Sequence, residues 1–197
     1  MSKGRLEAFS DGVIAILITI MVLELKIPRG ADLLALRPMV PVFLAYVLSF
    51  VILGIYWNNH HHMLHATDRI NGKVLWANLH LLFWLSLIPA VTAWMGETAS
   101  APVPTAIYGG VLLLAGVAYY ILTTTLVGLQ GPRSALAVAV GKDVKGKISV
   151  ALYAGAIPLA FVVPWIADTI YVFVALMWLV PDRRIERKLN ASHNPTR

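Results

Sequence analysis

The chain has 197 residues, 58% of them hydrophobic and 13% charged, a net charge of +6 and no cysteine. A soluble domain carries roughly 25% charged residues, so an ordinary soluble fold is excluded, and without cysteine there is no disulfide framework, thiolate metal site or thiol nucleophile. The mean hydropathy of +0.73 comes from long apolar runs flanked by basic residues, so the positive charge reads as a membrane-orientation signal rather than a nucleic-acid footprint.

Six apolar tracts follow one another, at 5–27, 39–59, 74–95, 105–128, 148–164 and 167–181. Most approach the ~20 residues needed to cross a bilayer. They predict an all-α membrane protein with six transmembrane helices in a single domain, 1–197. The first tract contains "EAFSDGVIAILITIMVLEL", 7–25. Its acidic residues Glu7 and Asp11, with no small-residue cleavage site after the apolar run, mark it as a retained span and not a signal peptide.

On a helical wheel with Ile16 as reference, Phe9, Gly12, Thr19, Ile20 and Leu23 all fall within about 60° of it. Arg5 falls on the same side. Asp11 points about 140° away and Ser10 about 120° away on the other flank. The helix therefore has one stripe that is apolar except for Thr19. A carboxylate at membrane depth needs a polar partner or water; Arg5, the histidines of the second tract, the Trp76 indole N–H and Asn78 are the candidates. A second reading stays open, in which Ser10 or Asp11 is the N-cap of a helix that starts near Gly12.

The second tract runs into "YWNNHHHMLHATDR", 56–69. His61 and His65 are four apart and share a helix face. Zinc enzymes use such pairs, but no glutamate stands between them and no further cluster offers a third ligand. An interfacial polar network is the better account of the run. The fourth loop, "GPRSALAVAVGKDVKGK", 131–147, is basic, and "GETASAPVPT", 96–105, is a small Pro-rich turn. Only Ala167, Asp168 and Thr169 separate the last two tracts, with Pro158 and Pro164 nearby, so one long kinked helix is the alternative there. Trp57, Trp76, Trp94, Trp165 and Trp178 lie near span ends, as an aromatic belt would.

With the N-terminus inside, the inner segments carry 13 of the 16 basic residues, among them Lys3, Arg5, Arg69, Lys73, Arg133, Lys142, Lys145, Lys147 and the tail residues Arg183, Arg184, Arg187, Lys188 and Arg197. The outer loops keep only Lys26, Arg29 and Arg37. This obeys the positive-inside rule and calls for an even number of spans.

The segments "RLEAFSDGVIAILITIMVLEL" and "GIYWNNHHHMLHATDRINGKVLWANLHLLFWLSLIP" resemble the prokaryotic members of the lysosomal potassium channel family, the transmembrane protein 175 family. The hallmark is Arg–x3–Phe–Ser–Asp–Gly, and the resemblance is strong over residues 5–90. It implies six spans, a homotetramer in the plasma membrane of a prokaryote with both termini cytoplasmic, and a pore lined by the first helix. It implies conduction of potassium and other monovalent cations, protons too in animal members, with no cofactor and no nucleic acid.

Carried over by position, Ile16 matches the central constriction, Ile20 and Leu23 further pore rings, and Thr19 a selectivity threonine. Arg5, Ser10, Asp11, a histidine of the second helix (His61 before His60), Trp76 and Asn78 match a helix-packing polar network. The family more often has arginine at His62 and Trp–Leu–Asn at 76–78, departures outside the presumed pore. A small secondary transporter, which would show broken helices and inverted repeats, and a membrane metal-binding enzyme built on the histidine run are the competing classes.

Overall fold

A computed structural model describes residues 2–28, 30–141 and 143–179. The described residues are helical without strands: α1 (Lys3–Leu23), a 3-10 turn (Leu33–Met39), α2 (Val40–His65), α3 (Gly72–Ser86), α4 (Ile88–Glu97), α5 (Pro102–Gln130), α6 (Ala135–Val140), α7 (Val144–Val162) and α8 (Pro164–Leu179). Five spans are long and apolar enough to cross a membrane, with α3 and α4 counted as one; α8 is a shorter apolar helix that completes six rods.

Proline sets most of the boundaries, because it lacks an N–H and restrains the residue before it. Pro41 and Pro102 occupy the first turns of α2 and α5, where no intrahelical donor is lost. Pro89 breaks the third rod at Leu87, which ends α3 and begins α4. The residues after the break, Ile88 and Pro89, are buried. Asn71 caps α3 through Val74 N–H at 3.0 Å, and Asp143 caps α7 through Gly146 N–H at 3.2 Å.

Two expected boundaries move. The division between the last two spans is at Val163 (φ −144°, ψ 84°), not at 167–169, because Pro164 forces its predecessor to extend. α7 runs unbroken past Pro158 and packs against α8, which rules out one long kinked helix. The second span continues as helix to His65 rather than ending at 59, so the whole histidine run is helical. The C-terminal basic residues, with Arg29 and Lys142, lie outside the described residues.

α5 is the central rod, in contact with α3, α4, α7 and α8, while α1 lies at the edge against α2, α3 and α4. Two close approaches depend on glycine. A Cβ on Gly109 of α5 would run into the Tyr171 hydroxyl of α8, and one on Gly96 would sit 2.8 Å from Val42 Cα. Ser49 of α2 bridges α4 and α5, with its Oγ 2.7 Å from Thr92 Oγ1 and 2.8 Å from Tyr108 Oη. Interhelical hydrogen bonds of this kind are each worth about 0.6–2 kcal/mol in a membrane.

Candidate functional site

α1 has two unlike faces. Leu6, Ser10, Ile14, Leu17 and Met21, spaced four, four, three and four apart, are buried against neighbouring helices. The opposite stripe is left uncovered: Phe9, Gly12, Ile16, Thr19, Ile20 and Leu23 are all exposed, Ile16 at 56% and Leu23 at 78%. These are the residues that the wheel placed together. Among the described residues nothing covers them.

Ser10 and Asp11 sit deep inside α1, which begins at Lys3. They are therefore not an N-cap, and that reading is set aside. Ser10 Oγ donates to Leu6 O at 2.9 Å. Its lone pair accepts Asn78 Nδ2–H at 2.9 Å, and Asn78 Oδ1 lies 2.7 Å from His60 Nε2. Since Ser10 has only one proton and Asn78 uses its amide on Ser10, His60 Nε2 must be the donor to Asn78 Oδ1. Three wholly buried polar residues from α1, α2 and α3 are thus joined in one directed chain.

Asp11 is held separately. Trp57 Nε1–H of α2 donates to its Oδ1 at 3.0 Å. His61 stacks on Trp57 and on His65, with ring centroids 6.1 and 6.2 Å away. His60, not His61, is therefore the histidine in contact with the α1 anchor. Arg5 and Trp76 are exposed and make no side-chain hydrogen bond or ion pair among the described residues. Trp57 is the partner that the sequence did not single out. Its nearness to a span end gave it the look of a belt residue, and only the α1–α2 packing brings its N–H to Asp11.

Thr19 donates to the carbonyls of Ile16 and Ala15 at 2.9 and 3.1 Å. Its proton is engaged by its own helix, which leaves oxygen lone-pair capacity on the uncovered face. Ile14 and Leu17, five and two residues before it, fill the opposite face, and among the described residues the hydroxyl bonds only to its own helix. Among the described residues no group of three or more histidines or carboxylates is gathered as a metal site.

The family model described as endosomal/lysosomal potassium channel TMEM175 matches residues 5–89, the segment that contains both faces of α1 and the whole polar chain. A potassium channel of Chryseobacterium sp. (strain P1-3) is 51% identical over 189 residues, which cover 96% of this chain and 98% of that one. The chain belongs to the TMEM175 family. The human endosomal/lysosomal proton channel TMEM175 is 36% identical over 96 residues, 42% of this chain and 19% of the human one. A crystal structure of a lysosomal potassium-selective channel TMEM175 homolog from Chamaesiphon minutus superposes with a TM-score of 0.77 at 28% identity, over 90% of this chain and 96% of that one. TMEM175 relatives are named as channels, and the family is a channel family and not one of enzymes. The chain is thus a multi-pass membrane protein of a channel family.

Proposed function

We propose that this TMEM175-family chain is a potassium-preferring monovalent cation channel, a homotetramer in which four copies of α1 surround the pore. The observation that carries the reading is the uncovered stripe of α1, set opposite a face fixed by buried hydrogen bonds. An apolar stripe with one hydroxyl suits an ion path lined by four identical helices. The 21 residues of α1 rise about 32 Å, close to the ~30 Å hydrocarbon thickness.

Ile16 forms the constriction, and Ile20 and Leu23 form further apolar rings. A narrow ring of branched side chains excludes water, and an ion cannot cross without its hydration shell. Thr19, one turn beyond Ile16, presents four hydroxyl oxygens that replace part of that shell. Potassium holds water less tightly than sodium and exchanges it more readily for such ligands. Selectivity is modest, because four hydroxyls offer fewer ligands than stacked carbonyl rings. The protein resides in a prokaryotic plasma membrane with both termini cytoplasmic, an orientation that the distribution of basic residues supports.

The test is cation flux through reconstituted liposomes. Ile16→Asn raises resting leak, and Thr19→Val lowers the preference for potassium over sodium. If both variants match the wild type, α1 does not line the pore. A flux that saturates and couples to a second solute would instead indicate a transporter.

A further inference from the structure

Two exposed polar side chains, Asn58 of α2 and His80 of α3, stand at one depth on two helices that both pack against α1. The His60–Asn78 hydrogen bond defines a common level for α2 and α3, which both run away from the turn at 66–71. Asn58 lies two residues beyond His60 and His80 two residues beyond Asn78, on the same side of that level. At ~1.5 Å per residue each is about 3 Å past it. Trp76 and His62 are matched in the same way, about 3 Å to the other side. All four are exposed, Trp76 at 75%.

His80 is not a free ring. Trp84 Nε1–H donates to its Nε2 at 2.9 Å. With Nε2 an acceptor, the neutral ring carries its proton on Nδ1. That N–H has no partner among the described residues, and neither has the Asn58 amide. His80 is eight residues into a 26-residue span, about 12 Å from its start and well within the hydrocarbon depth. Side chains of this kind face protein or water in a membrane, not lipid.

A ring of copies about an axis along the membrane normal displaces every residue sideways and leaves its depth unchanged. α1 packs on α2 and on α3, as well as on α4, so turning its bare stripe inward can bring α2 of one copy against α3 of the next. We infer that this is the seam between neighbouring copies: the α2 face with Asn58 and His62 packs on the α3 face with His80 and Trp76, and His80 Nδ1–H donates to Asn58 Oδ1 of the next copy. Polar complementarity at equal depth selects a second copy of the chain as the occupant. The inference rests on the ring of α1 helices proposed above and adds the contact that closes it.

The natural chain has no cysteine, so introduced thiols report without background. In proteoliposomes, the double variant Asn58→Cys, His80→Cys treated with a short bis-maleimide gives a ladder of covalent species up to the tetramer, while each single variant stays monomeric on denaturing gels. Ile16→Cys, probed separately, reports the ring alone. If Ile16→Cys crosslinks and the double variant does not, the seam is wrong and the ring stands; if neither crosslinks, both are wrong. A second measurement needs no thiol. His80→Leu and Asn58→Leu each remove the bond at all four seams and weaken association in detergent by roughly threefold to tenfold per seam, the range of one interhelical hydrogen bond. Combining them weakens it no further. Either single variant leaving the tetramer unchanged or tighter, as a lipid-facing site would, overturns the pairing, and so does a double effect equal to the product of the singles.

Discussion

Replacing Asn78 by leucine tests whether the buried polar chain holds α1 in place. Leucine is close in size but removes two hydrogen bonds at once, the 2.9 Å donation to Ser10 and the 2.7 Å acceptance from His60. Ser10 keeps its bond to Leu6 O and loses only an incoming donor. His60 fares worse. Its Nδ1 already has no partner, and its Nε2–H, on a residue only 1% exposed, would lose its only one. A buried donor left unpaired costs about 1–3 kcal/mol, and a lost neutral bond about 1 kcal/mol more. The expected destabilisation is therefore about 2–4 kcal/mol. At about 2–4 °C per kcal/mol for a chain of this size, thermal unfolding in detergent shifts down by about 4–16 °C. The companion variant His60→Leu, Asn78→Leu removes both partners and should recover part of that loss, because the cost lies in the stranded donor rather than in the missing bond. A single variant that melts within 2 °C of the wild type, or a double variant that melts lower than either single one, would refute the reasoning.

Two further variants probe the packing around the site. Gly109→Ala drives a methyl into the Tyr171 hydroxyl, which donates to Thr105 O at 3.1 Å; overpacking of this sort costs about 1–3 kcal/mol and should show in the same melt. Gly12→Ala, inside α1 where a Cβ meets nothing within 4 Å, is the clash-free control and should gain about 0.5–1 kcal/mol, as alanine does over glycine in a helix. Trp57→Phe keeps the ring and removes the N–H that reaches Asp11 at 3.0 Å. A loss of about 1 kcal/mol is expected, and an unchanged melt would show that water replaces the indole.

The stripe of α1 was legible in the sequence because a 3.6-residue period needs no tertiary information. Ile16, Thr19, Ile20 and Leu23 share a face in any straight helix, and the described structure leaves that face bare. The partners of the opposite face were only half legible. Asn78 and Ser10 stood among the candidates, but periodicity cannot choose between His60 and His61, which differ by 100° on one helix. The choice falls to His60 because α3 brings Asn78 to its side of α2. Asp11 was expected to meet Arg5, a histidine, Trp76 or Asn78 and meets Trp57 instead. The break at Val163 was misplaced for a local reason. The polar residues Asp168 and Thr169 looked like a loop, yet they continue α8, and the residue that decides is the one before Pro164.

The two faces of α1 also differ along its length, and this bears on how the constriction proposed at Ile16 would change width. Directed hydrogen bonds are confined to one end: Ser10 is tied to Asn78, and Asp11 to Trp57. Beyond them the buried face is Ile14, Leu17 and Met21, whose packing is apolar and non-directional. Breaking the buried bonds of Ser10, Asn78 and His60 strands polar atoms at about 1–3 kcal/mol each, whereas sliding apolar side chains by a fraction of a residue strands none. Ile16 lies six residues from Ser10, about 9 Å along the axis, and so belongs to the loosely held part. Motion that widens the proposed ring at Ile16 must then either bend α1 between Ser10 and Ile16 or carry α2 and α3 along with the anchored end. The first course leaves the polar chain intact, and for that reason is the less costly.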